Sequence, residues 1–174
     1  LMIIEHELVD RVIFPNQLFR EGVRVAGDDI LKKLIELIIL PGIVSAVEAA
    51  GDPHPAERVN FLFTNAKGVS REDQMRRAAF VNQILIPCAI RLLSEYENAD
   101  HQLSEDFTTF TIGDAIDLSS LNPNVLSYLA DGLEGGDTDV FNLADVQITM
   151  RPAEVSGAAQ SVVGASLRDF CDVI

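Results

Sequence analysis

The chain has 174 residues and a formal net charge of −14, from 13 basic and 27 acidic side chains, with 48% of its residues hydrophobic. That apolar fraction excludes a disordered chain, and the acidity excludes a protein whose whole surface coats nucleic acid or anionic membrane. The length allows roughly 70% of the unfolded surface to be buried without disulfide or metal staples.

In chain order, residues 2–14 fit either a helical stripe (Ile4, Leu8, Val12) or a β-branched strand. Asp28 caps an expected helix whose apolar face is Ile30, Leu31, Leu34, Ile35, Ile38 and Ile39. Pro41-Gly42 is expected to break it, with further helical turns from Ile43 to Ala50 before Gly51. DPHP (52–55) reads as a loop. Val59, Phe61 and Phe63 alternate with polar residues, which predicts a strand. Ser70-x-x-Asp73 then opens a long helix that Pro87 should kink or split.

FTTFTI (107–112) predicts a second strand, and Asn122-Pro123 a capped helix reaching about Leu133. GLEGGDTD (132–139) reads as a loop, and Val146, Ile148 and Met150 alternate in a third strand that stops at Pro152. A last helix, roughly 154–173, carries Val155, Ala159, Val162, Ser166, Phe170 and Val173 on one stripe. No repeated unit is visible. The expected fold is α+β: a helix-rich single globular domain over 1–174 with a small sheet of about three strands. A division near 98–106, leaving an acidic C-terminal part, is the alternative.

Charge is segregated. Residues 1–57 carry net −5, residues 58–91 net +4 (Arg58, Lys67, Arg71, Arg76, Arg77 and Arg91 against two acids), and residues 92–174 net −13. NAKGVSRED (65–73) places Lys67 and Arg71 at an expected helix N-terminus, a setting suited to an anion. The phosphate-loop pattern G-x-x-x-x-G-K-[ST] is absent, and a capped helix with solvated arginines is the plainer reading. Asp131, Glu134, Asp137 and Asp139 surround flexible glycines, but their order does not match a calcium loop. Glu97 and His101 give two ligands where zinc needs three or four.

Cys88 and Cys171 form no Cys-x-x-Cys pair; Cys88 sits in an apolar run as an inert thiol, and Cys171 lies among acids that oppose a thiolate. No G-x-S-x-G elbow occurs. No catalytic residue, cofactor or metal site is assigned. Glu5, Glu7 and Asp10 break the order of a signal peptide, and the apolar stretch Leu34–Val47 is too short to span a bilayer. The expectation is a cytoplasmic or particle-borne protein, neither secreted nor membrane-bound.

The leading functional expectation is a non-catalytic assembly or interaction protein, either a homo-oligomer or a component of a multi-protein particle such as a virion. Copies would meet through the last helix (Val155, Gly157, Val162, Gly164, Phe170), with the basic residues Arg58, Lys67, Arg71, Arg76 and Arg77 facing an acidic or anionic partner. Two alternatives stand beside it: a nucleic-acid-binding accessory protein using the basic 58–91 segment, and a small metal-dependent hydrolase with an acidic site around 131–139.

Overall fold

The computed structural model describes residues 2–9, 12–20, 27–64, 69–98, 108–131 and 141–171, with side chains described over 27–64, 69–98, 108–131 and 141–164. The ambiguous N-terminal segment resolves as two antiparallel strands, β1 (Met2–Val9) and β2 (Val12–Arg20), with an irregularity between Ile3 and Ile4. The acidic loop read at 132–139, and Lys67 and His101, lie outside the described residues.

Two long helical runs form the centre of the molecule. The first is α1 (Gly27–Leu34), a π-turn over Ile35–Ile39, and α2 (Leu40–Ala49). The second is α4 (Arg71–Phe80), a π-turn over Val81–Leu85, and α5 (Ile86–Asn98), with α3 (Pro55–Phe63) between the two runs. Each π-turn leaves a single residue between its end and a proline. The amide of Leu40 donates to the carbonyl of Ile35, and that of Ile86 to Val81, both five residues back. Proline cannot donate to the ladder, and its ring crowds the carbonyl four residues earlier. The wider turn absorbs both defects, so the chain stays helical through each proline.

Pro41-Gly42 therefore does not end its helix, contrary to expectation. The interruption expected at Pro87 takes the form of a π-turn rather than a break. At the same place in both runs the residues four and five positions on are both buried: Ile38 and Ile39 after Leu34, and Ile84 and Leu85 after Phe80. Leu34, Ile39 and Ile43 are buried in one, and Phe80, Leu85 and Ala89 in the other. This recurring π-turn and proline is a unit that the sequence reading does not register.

The strand expected around Val59–Phe63 is helix α3. Pro55 occupies its first turn, and Val59, Leu62 and Phe63 form an inward face while Phe61 is 63% exposed. The second and third expected strands are present as β3 (Thr108–Thr111) and β4 (Gln147–Met150), paired antiparallel with Phe110 opposite Ile148. Phe110, Ile148 and Met150 are buried, while Thr109 and Thr149 are exposed with their hydroxyls 3.3 Å apart. The architecture is α+β and helix-rich, as expected. In place of one sheet of about three strands, the described residues form two separate two-stranded sheets.

Three further helices complete the core: α6 (Ile112–Ala115), capped by Thr111 and Asp114; α7 (Pro123–Asp131); and the long α8 (Pro152–Cys171). The helix α2 crosses β4 closely. A Cβ at Gly42 would lie 2.8 Å from the carbonyl oxygen of Gln147, so only glycine fits that crossing without movement. The α1, α5 and α8 helices pack together, with α8 contributing Val155 and Ala158 to the common core. Gly51, at φ +91°, terminates the first helical run.

Candidate functional site

The basic segment falls largely on α3, α4 and α5, and most of its charge is met inside the chain. The Arg58 guanidinium lies 3.3 Å from the Asp52 carboxylate, which is buried and also accepts the amide of His54 at the start of α3. Arg91 pairs with Glu95 one turn later on α5. Arg77 donates to the carbonyl of Thr64 at the end of α3.

Arg76 is the most heavily engaged. Its guanidinium donates to the Asn124 carbonyl at 3.2 Å, to the Ser127 hydroxyl at 3.1 Å and to the Asp131 carboxylate, and it sits 5.7 Å from the Tyr128 ring centre. Four partners on α7 thus fix one side chain of α4. Hydrogen bonding from Arg76 holds the Asp131 carboxyl below the usual carboxylate range. Beneath the clamp, Tyr128 meets Phe63 edge-on and Phe80 at a tilt, and donates its hydroxyl to the Leu62 carbonyl at 2.7 Å. Burial pushes the Tyr128 phenol up.

Above the clamp lies an open groove of about 540 Å³, lined by Arg71, Glu72, Met75, Arg76, Asn124 and Asp131. Arg71 is exposed, and Met75 is 66% exposed. Ser70 caps this helix end, accepting the Asp73 amide at 3.0 Å, as the sequence pattern predicts. Of the five basic residues singled out from sequence, Arg71 and Arg76 meet at this groove. Arg58 and Arg77 serve α3, and Lys67 lies outside the described residues. The groove also contains Met75 and Asn124, which carried no signal in the sequence because neither belongs to a charge or motif pattern.

The residues expected at a helix interface divide. Val155 is 1% exposed in the chain's own core, and Tyr96 and Ser156 join α5 to α8 through their hydroxyls at 2.7 Å. At Gly157 and Gly164 an added Cβ meets nothing within 4 Å among the described residues, and Val162 is half-buried. Phe170 belongs to α8, but its side chain lies outside the described residues.

Cys88 is fully buried, and burial pushes its thiol up to about 12, which removes it from nucleophilic chemistry. Among the described residues no group of three or more His, Cys, Asp or Glu converges as a metal site. The run Arg71–Asn98 is long and apolar enough to cross a membrane by length and composition. Phe80, Ile84, Leu85, Cys88, Ala89 and Leu92 on that run are buried, and 33% of its most apolar window is buried inside the chain.

These features define a helix-rich α+β protein. The chain belongs to the family described as virulence factor SrfB, whose model matches residues 1–174. That description names virulence and no reaction. Neither a curated protein nor a solved structure matches the chain.

Proposed function

We propose that this SrfB-family chain is a non-catalytic interaction component of a virulence-associated assembly, engaging another protein through the groove between α4 and α7. The observation that carries this reading is the combination of exposed Met75 and Arg71 over a floor made rigid by the Arg76 clamp. Arginine and methionine are enriched at protein interfaces, and a pre-fixed floor lowers the ordering cost of binding. Arg71 makes no hydrogen bond or ion pair among the described residues, so its guanidinium is available to a carboxylate of the partner. The nucleic-acid alternative draws less support, because Arg58, Arg76 and Arg91 already meet carboxylates within the chain. A phosphate-tracking surface needs several available cations.

The test is native mass. The wild-type chain is expected to migrate in cell extract as part of a complex well above its own 19.0 kDa. An Arg71→Glu, Met75→Asp variant, altered at exposed positions, should run free while keeping its melting temperature. Wild type and variant migrating identically would overturn the reading. Light scattering of purified wild type separates the two forms of assembly: a dimer or larger species favours pairing between copies, and a monomer assigns the groove to a different protein.

A further inference from the structure

The groove between α4 and α7 also constrains the form of its occupant, an inference that rests on the interaction role proposed above. Arg71 and Met75 are both exposed and stand four residues apart on one face of α4, about 6 Å along its axis. Alternate side chains of an extended strand share a face and repeat at about 6.7 Å. A carboxylate over Arg71 and an apolar side chain over Met75 are therefore two residues apart in an extended occupant. In a helical one they are four apart. Asn124, at the start of α7, favours the first. It lines the groove and is exposed, and its carboxamide makes no hydrogen bond among the described residues, while its backbone carbonyl already accepts from Arg76. A carboxamide offers donors and an acceptor, the complement of a peptide group. An extended segment arrives with its backbone N–H and C=O groups unpaired, whereas a helix satisfies those of its middle turns within itself.

Charge limits the number of acids. Of the two arginines that line the groove, Arg76 is held by Asp131, and Arg71 has no partner among the described residues. Arg71 also stands in the first turn of α4, where the helix favours an anion. Glu72 and Asp131 line the same groove, so a second carboxylate meets like charge. A polyacidic segment is repelled further by the net −14 of the chain.

We propose that the α4–α7 groove takes an extended peptide segment of a partner protein with the pattern acid-x-apolar. A single Asp or Glu pairs with Arg71, and two residues along a Leu-sized side chain rests on Met75, whose flexible thioether adapts to it. The Asn124 carboxamide holds the backbone between them.

The test titrates the full chain into fluorescent Thr-rich peptides that carry Glu-x-Leu, Gln-x-Leu, Glu-x-Ser, Lys-x-Leu, Glu-Glu-Leu or Glu-x-x-x-Leu, with binding read by anisotropy. Glu-x-Leu is expected to bind about tenfold more tightly than Gln-x-Leu or Glu-x-Ser, the loss of one charged hydrogen bond or one apolar contact. It should also bind more tightly than the other three. A preference for Glu-x-Leu over Lys-x-Leu runs against the net charge of the chain, so only a local cation explains it. An Arg71→Glu variant should exchange that preference, and Asn124→Ala should weaken Glu-x-Leu without lowering the melting temperature. Tighter binding of Glu-x-x-x-Leu would overturn the proposal in favour of a helix, and a wild-type preference for Lys-x-Leu would remove Arg71 from recognition. Binding seen only in a Glu134→Gln, Asp137→Asn, Asp139→Asn variant would give Arg71 a carboxylate of its own chain. A dimer that the peptide turns into monomers would assign the groove to a second copy. Either result overturns the proposal. Failure of every peptide to bind, while Arg71→Glu, Met75→Asp still frees the chain from its complex, overturns this inference and leaves the interaction role standing.

Discussion

Two alanines placed at two helical glycines are expected to move stability in opposite directions. Both substitutions gain the intrinsic advantage of alanine over glycine in a helix, about 1 kcal/mol. At Gly157 no other contact changes among the described residues, where an added Cβ meets no atom within 4 Å. At Gly42 the new methyl falls 2.8 Å from the Gln147 carbonyl oxygen and 3.0 Å from Ile148 Cδ1. The first of these is backbone held in the β3–β4 ladder, so α2 and β4 must separate, at a strain of about 1–3 kcal/mol for an overpacked contact. The net for Gly42→Ala is then a loss of about 1 kcal/mol, against a gain of about 1 kcal/mol for Gly157→Ala. In a chain of this size each corresponds to about 3 °C in melting temperature, one down and one up. Thermal unfolding followed by circular dichroism on wild type and both variants, at several protein concentrations, measures this. Melting shifts of the same sign would refute the close-approach argument. A Gly157→Ala variant that melts lower only at high concentration would place that glycine against a second copy, as the sequence pattern of α8 suggests.

Cys88 should resist alkylation from pH 7 to 9, reacting at the rate of global unfolding, because its thiol is both buried and held neutral; rapid labelling of the native protein counts against this. The sign comes from linkage: its folded value of about 12 lies above the unfolded one, so the neutral thiol favours the fold and that contribution declines as pH rises past about 9. Replacing Arg76 with Gln should cost about 1–2 kcal/mol in urea unfolding, since it removes a charged partner from Asp131 and the contact over Tyr128. Asp131 has a depressed folded value, so its contribution is present at neutral pH and is lost as pH falls below the ordinary carboxylate range. That side chain is 52% exposed, which limits the pH-dependent part to about 0.5 kcal/mol. The Gln variant should lack that slope, and an unchanged acid profile would show that the clamp contributes nothing.

Much of the fold was legible where local chemistry and packing agree. The Ser70 cap, the alternation of β4, the Asn122-Pro123 start of α7 and the inert burial of Cys88 all appear as the sequence indicates. Val59–Phe63 was misread because it satisfies two periods at once. Val59, Phe61 and Phe63 alternate as a strand does, while Val59, Leu62 and Phe63 follow helical spacing. Pro55 in the first turn decides for the helix, and Phe61 is left outside. The prolines misled for another reason. A rule written for the α-helix treats Pro41 as a stop, but a π-turn upstream removes the conflict, and no local residue preference announces a π-turn. The groove was half legible: charge singled out Arg71 and Arg76, whereas Met75 and Asn124 join them only through the packing of α4 on α7.

The charge blocks carry the strongest lesson about partners. Along the chain, a basic segment between two acidic ones resembles a code for pairing between molecules. In space, Arg58 takes its carboxylate from the first block, at Asp52, while Arg76 and Arg91 take theirs from the third, at Asp131 and Glu95. The basic segment therefore works largely as internal glue. Pairing of this kind cancels cations and anions in equal number, so the net −14 is carried by the unpaired acids. At long range the molecule presents a negative field, which steers cationic surfaces toward it and weakens beyond about 8 Å at physiological salt. Arg71 is a local exception to that field, and it favours a carboxylate at short range. The proposed contact at the α4–α7 groove thus calls for a side chain of the sign that the far field repels.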